Sequence, residues 1–278
     1  NPLDRNTLRN SSEPSYIKKR FDVYHNRKPS LEKIQDNLWC LTPKTILESI
    51  NFLPHNFIYN YLNKVNNKRI ASEIKKNTRK FEILNPQGQH AICAGLKDDI
   101  DVTIKGHTGY YCAGMNQKAN VTIHGNVGTG VAENMMSGKI IVKGNASQSA
   151  GATGHGGALI IEGDASSRCG ISMKGIDIVV KGSVGHMSAF MAQKGNLVVM
   201  GDADADLGDS IYEAKIFVKG KVKSLGADCV EKNMDKKNID ELTKLFKKLN
   251  ISEDPKKFKR YGSSRNLYNF KIDNVGAY

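Results

Sequence analysis

The 278-residue chain has one tryptophan, seven prolines and five cysteines. It has no apolar run near the roughly 18 residues that a spanning helix needs, and no signal-peptide pattern at its start. A cytoplasmic protein without a membrane partner is expected. Cys40, Cys93, Cys112, Cys169 and Cys229 form no CxxC pair and no other metal-cluster spacing, which favours reduced, structural thiols. No GxSxG, HExxH or GK[ST] motif is present. His25, His55, His90, His107, His124, His155 and His186 form no evident ligand set. The expectation is therefore no catalytic residue, no cofactor-binding residue and no metal ligand on this chain.

Acidic charge is scarce at both ends. Residues 1–80 carry 16 Lys/Arg against 7 Asp/Glu, and residues 231–278 carry 12 against 7. Residues 81–230 are nearly neutral, with 13 against 14. A nucleic-acid-binding repeat would place its basic stripe on the neutral body, so no nucleic acid is expected. Basic flanks suit acidic partner surfaces, although 32 lysines against 9 arginines also fit a simple compositional bias.

What is abundant is glycine at a fixed interval. Gly106, Gly125, Gly144, Gly163, Gly182, Gly201 and Gly220 each close a short apolar segment, and each is 19 residues from the next. Counting from that glycine as zero, position −4 reads Val102, Val121, Ile140, Leu159, Ile178, Leu197, Ile216. Position −2 reads Ile104, Ile123, Val142, Ile161, Val180, Val199, Val218. Position −1 is mostly charged or polar. Alternation with β-branched residues predicts a half-buried strand, and the constant period predicts aliphatic ladders. Position +2 is small or β-branched, and position +7 is only Ala or Gly, from Ala113 to Ala227. Position +13 is small in most coils, with Ile176 the exception.

The expected fold is an all-β core: a right-handed parallel β-helix, a single-stranded solenoid of about seven 19-residue coils, each of about three short strands. Cys112 and Cys169 share position +6 but lie three coils apart, roughly 14 Å at strand spacing, too far for a disulfide. Three segments are expected: a basic helical or extended arm over 1–80, the β-helix over 81–230, and a C-terminal helix and tail over 231–278. In the arm, Leu31, Ile34 and Leu38 share a helical face, and Thr42–Pro43 suit a helix start. "FEILNPQGQHAICAGLKDDI" is expected to be a degenerate opening coil. Ile239, Leu242, Leu245, Phe246 and Leu249 define a helix laid against the solenoid, with Asn238 as N-cap and Glu241 completing a capping box.

Three stretches invite chemistry. "GNVGTG" (125–130) has glycines spaced three then two and is followed by another strand, not a helix, so it is no dinucleotide loop. "GHGG" (154–157) offers His155 at a glycine-rich corner, where a packing or surface role is the plainer reading. Asp202, Asp204, Asp206 and Asp209 invite calcium, but the run occurs once, and a solvated corner is expected.

The spacing glycine, two residues, glycine, three residues, small residue appears as Gly106/Gly109/Ala113, Gly125/Gly128/Ala132 and Gly182/Gly185/Ala189. With the middle glycine replaced it recurs as Gly144/Ser147/Gly151, Gly163/Ser166/Gly170 and Gly201/Asp204/Gly208. This pattern resembles the GXGXG domain at the C-terminal end of the glutamate synthase large subunit. It is closest to the stand-alone GXGXG subunit of N-methylglutamate synthase, as is the tail "RYGSSRNLYNFKIDNVGAY". The resemblance implies a non-catalytic scaffold in a hetero-oligomer with a glutaminase-like (class II amidotransferase) subunit and an FMN/iron–sulfur subunit. The cofactors would sit on the partner; separately, the lack of phosphate loops and clustered ligands leads to the expectation that this chain alone is colourless. A β-helical subunit of glutamate synthase proper, of a formylmethanofuran-dehydrogenase-like complex or of an unrelated assembly is the alternative. A self-contained β-helix enzyme would need paired carboxylates on adjacent coils, which the repeat phases do not show.

Overall fold

The computed structural model describes residues 31–35, 38–41, 70, 73–75 and 77–265. Its strands are β1 (Leu31–Gln35), β2 (Leu38–Leu41), β3 (Lys80–Leu84), β4 (Asp101–Lys105), β5 (Asn120–His124), β6 (Lys139–Val142), β7 (Ala158–Ile161), β8 (Lys174–Val180), β9 (Lys194–Val199), β10 (Lys215–Val218), β11 (Cys229–Lys232) and β12 (Lys259–Ser263). Helix α1 spans Lys236–Leu249. The strands form one sheet, parallel from β2 through β10, and then β12 and β11 follow antiparallel.

The fold is the parallel β-solenoid that the period predicts. Position −4 stacks in register from Val102 to Ile216 and position −2 from Ile104 to Val218. Both columns are buried in the coil interior. Removing such a side chain from water contributes about 1.5–3 kcal/mol each, so these two ladders supply a large part of the driving force.

The rest of each coil differs from the expected three strands. Position +2 forms single-residue bridges, Thr108–Val127–Ala146–Ala165–Val184–Ala203–Val222, and most of the remainder is turn. In six successive coils, positions +5, +7 and +9 have positive φ, as at Arg168 (58°), Gly170 (71°) and Ser172 (51°). The N–H groups at +5 and +9 donate forward to the next coil, and that at +7 donates back. For example, Arg168 donates to His186, Ser172 to Phe190, and Gly170 to Ala150. Position +7 is thus small for two reasons: it is left-handed and it faces the packed interior. The exception at +13 is resolved by a bulge. Gly175 (φ 141°) takes the left-handed role one residue early, and the β8–β9 register shifts between Lys174 and Asp177.

Both ends carry added elements that cover part of the exposed edge. The opening coil is real: β3 pairs with β4, and Ala91, Cys93 and Gly95 repeat the left-handed alternation. The ladder also reaches into the arm, where β2 pairs parallel with β3 and β1 folds back antiparallel. Leu31, Ile34 and Leu38 are therefore on strands and not on a helical face. The open edge of β3 offers more backbone hydrogen bonds than an isolated helical turn. The expected helix start at Thr42–Pro43 lies outside the described residues.

At the other end, α1 lies on the outer face of the sheet. Leu242, Leu245 and Phe246 cover Val179, Val198 and Phe217, all at position −3. Its N-cap is Asp235, whose carboxylate accepts the Asn238 N–H at 2.8 Å; Asn238 is inside the first turn, not the cap. Asp235 wins because it lies one turn earlier and its carboxylate also accepts Asn238 Nδ2 at 2.7 Å. Lys215 bridges to Glu241 and fastens the helix to β10.

Candidate functional site

The polar residues most easily mistaken for an active site belong to a ladder at position +1. Asn145 N–H donates to Asn126 Oδ1 (2.9 Å), Asp164 N–H to Asn145 Oδ1 (2.9 Å), and Ser183 N–H to Asp164 Oδ1 (2.7 Å). Asp202 N–H then donates to Ser183 Oγ (3.0 Å) and Lys221 N–H to Asp202 Oδ1 (2.7 Å). His107 Nδ1 opens the series by accepting Asn126 N–H at 2.9 Å. From Asn126 to Asp202, each side chain lies over the glycine of the next coil. A Cβ at Gly220 would collide with Asp202 Oδ1, and one at Gly201 would lie 2.6 Å from Ser183 Oγ. The seven repeat glycines are brought into one stack, where from Gly144 onward the N–H at zero donates to the previous C=O at zero, as from Gly182 to Gly163 at 3.0 Å.

The acidic run is accounted for residue by residue. Asp202 is a rung of this ladder. Asp204 pairs with Lys223 at 2.8 Å, which holds its carboxyl below the usual range. Asp206 is left-handed and lies 3.3 Å from His186, and Asp209 accepts Ala227 N–H at 3.1 Å. Among the described residues no group of three or more His, Cys, Asp or Glu is placed to hold a metal ion. His155 is exposed; Gly154 beside it makes room for Ile176, whose side chain would lie 2.9 Å from a Cβ there. In "GNVGTG", Gly125 and Gly128 pack on the backbone of Gly106 and Gly109, and Gly130 (φ 74°) takes the left-handed +5 position.

Cys93, Cys112, Cys169 and Cys229 are buried and free. Burial pushes Cys112 up to about 11, Cys169 to about 12 and Cys229 to about 11, so these thiols are protonated at neutral pH and poor nucleophiles. Cys40 lies in β2.

Sequence reasoning missed two features. His90 stacks on Tyr110, with ring centroids 4.5 Å apart and His90 Nδ1 accepting Tyr110 N–H at 2.8 Å; burial lowers the His90 pKa. On one corner, positions +9 and +11 leave Met115, Met136, Met191 and Tyr212 exposed by 40–49%. The signal was available, because these residues interrupt an otherwise polar pair of columns.

A solenoid whose glycines stack in this way is matched by the model of the GXGXG motif family over residues 56–271. The chain belongs to the GXGXG family. Protein GlxC of Rhizobium meliloti is 59% identical over 203 residues, which cover 73% of this chain and 89% of that relative. The GXGXG match thus takes in the solenoid, its cap helix and the closing strands. Among the described residues, no helix of this GXGXG protein is long and apolar enough to cross a membrane.

Proposed function

We propose that the chain is the β-helical, non-catalytic subunit of a glutamate-synthase-like complex. N-methylglutamate synthase, which converts methylamine and L-glutamate to N-methyl-L-glutamate and ammonia, is the member whose stand-alone subunit it resembles in sequence. In this reading the solenoid is a rigid wall. It holds a glutaminase-like subunit and an FMN/iron–sulfur subunit in register, and the cofactors reside on the partner.

The observation that carries this reading is the use of the polar side chains. Asn126, Asn145, Asp164, Ser183 and Asp202 hold coil to coil, while large apolar side chains stay exposed on one corner. A wall with committed polar groups and uncovered methionines suits partners more than a substrate.

Co-expression tests it. The chain produced with a glutaminase-like and a flavin-binding subunit should elute with both as one complex whose turnover needs all three. A chain that stays alone, while the other two assemble and turn over fully without it, would contradict the reading.

A further inference from the structure

The ladders stop at the C-terminal end of the stack, and they stop incompletely. From the coil at Gly125 to that at Gly201, each segment from 0 to +3 is joined to the next coil by three parallel backbone bonds. The C=O at 0 accepts the next N–H at 0, the N–H at +2 donates to the next C=O at +1, and the C=O at +2 accepts the next N–H at +3. For the coil at Gly201 these are Gly220 N to Gly201 O (3.1 Å), Ala203 N to Lys221 O (2.8 Å) and Lys223 N to Ala203 O (2.9 Å). In the last coil the corresponding groups are Gly220 C=O, Val222 N–H and Val222 C=O. None of them has a partner among the described residues.

Strand β12 covers β10 only as far as Val218, opposite Lys259. Beyond it a groove of about 500 Å³ remains open, lined by Val222, Leu225 and Tyr261, by Lys221 and Ser224, and by the Lys259–Glu231 pair. Lys259 is engaged by Glu231 at 3.2 Å and Lys223 by Asp204 at 2.8 Å, whereas Lys221 has no ion-pair partner among the described residues. Lys221 also breaks the chemistry of its column. The preceding members from His107 to Asp202 offer an acceptor to the next coil, and Lys221 offers only a cation.

We propose that the Gly220–Leu225 edge receives an extended acidic segment of another polypeptide, running parallel to it as an eighth coil fragment. Three backbone bonds set its direction and register, and pockets over Val222 and Leu225 take small aliphatic side chains. Lys221 selects a carboxylate at the residue beside it. The same lysines exclude a second copy of this chain, because pairing two such edges would oppose Lys221 and Lys223 to themselves. This inference is independent of the function proposed above.

The test uses the full ¹⁵N-labelled chain and a capped peptide with the sequence of residues 199–207, VMGDADADL, whose first aspartate falls beside Lys221. Hydrogen exchange at the Val222 amide should be rapid in the chain alone and slow by at least about tenfold at saturating peptide. Lys221→Glu should weaken peptide binding about tenfold, and a peptide with lysine in place of its first aspartate should restore it. Val222→Pro removes the donor without breaking an internal bond and should abolish binding while circular dichroism is unchanged. If that variant misfolds, the charge-swapped pair carries the test. The proposal is overturned by no protection at millimolar peptide, or by binding indifferent to Lys221. It is equally overturned by a Val222 amide already protected in the chain alone, or by a dimer that Val222→Pro dissolves.

Discussion

Asp202 Oδ1 accepts the Lys221 backbone N–H at 2.7 Å from the adjacent coil, and the same oxygen occupies the place a Cβ on Gly220 would need. One contact thus accounts for an acidic residue and a glycine that sequence reading treats separately. The same geometry recurs at Asp164, Ser183 and Gly182. Asp164→Ala leaves the Ser183 N–H without its side-chain acceptor at a solvent-accessible corner, and should cost about 1 kcal/mol; Asp164→Asn should cost less than half of that. Gly182→Ala should cost more than about 2 kcal/mol, because the Gly163 carbonyl oxygen would lie 2.7 Å from the new Cβ. Urea denaturation of the three variants checks the order.

Gly170 tests the left-handed column. It is buried at φ 71°, and a Cβ there would lie 3.3 Å from Ile178 and 3.4 Å from Met173. Gly170→Leu should destabilise by more than about 2 kcal/mol, through backbone strain and overpacking together. Ala132→Leu, at φ 58° and fully buried, should behave alike. The exposed Lys118→Ala should change stability by under about 0.5 kcal/mol. Equal melting shifts for the three would remove the assignment of the interior.

Glu162 gives the pH dependence. The Lys143 ammonium at 2.9 Å, and then Lys181 at 3.1 Å, hold its carboxyl below the usual glutamate range against a smaller opposing effect of burial. A depressed folded-state pKa contributes stability that is present above the unfolded value. That stability is lost as pH falls from the ordinary glutamate range through the folded pKa. The pair is partly exposed, so the contribution is under about 1 kcal/mol. Glu162→Gln should lower stability at neutral pH by that amount and reduce the difference from wild type to near zero in acid. A difference that grows in acid would show that the triad does not act as described.

Most of the interior was legible in the sequence, because hydropathy marks it: the columns at −4, −2 and +2 need only a period of two inside a period of 19. The +1 ladder was not. Its members are His, Asn, Asn, Asp, Ser, Asp and Lys, which share an acceptor or a backbone N–H and no hydropathy. The left-handed alternation was hidden because Tyr111, Arg168 and Met187 occupy +5, residues with no preference for positive φ. Coil-to-coil hydrogen bonds impose that geometry on them. Leu31, Ile34 and Leu38 have helical spacing, yet the exposed edge of β3 draws their segment into the sheet. The outer apolar column at −3, Val179, Val198 and Phe217, marked where α1 would dock.

That column makes a separable prediction. Phe246 packs on the sheet cluster and on Phe258, with ring centroids 5.5 Å apart. Phe246→Ala should lower the stability of the cap by about 3–5 kcal/mol, because it empties the cluster that holds α1 on the sheet. Amide exchange should quicken first in α1 and β12 and last in β5–β7. Uniform quickening along the stack would mean that the cap is not a local unit.

A solenoid that orders its partners, and performs no chemistry with its own polar residues, should tolerate the loss of those residues in the working complex. The decisive measurement is steady-state turnover of the co-expressed complex carrying His155→Ala together with Asp204→Ala, an exposed histidine and a carboxylate paired to a surface lysine. The complex should remain intact, with kcat and KM within about twofold of wild type. A fall in kcat of tenfold or more, about 1.4 kcal/mol in the barrier, with the complex still assembled on size exclusion, would contradict a purely structural role.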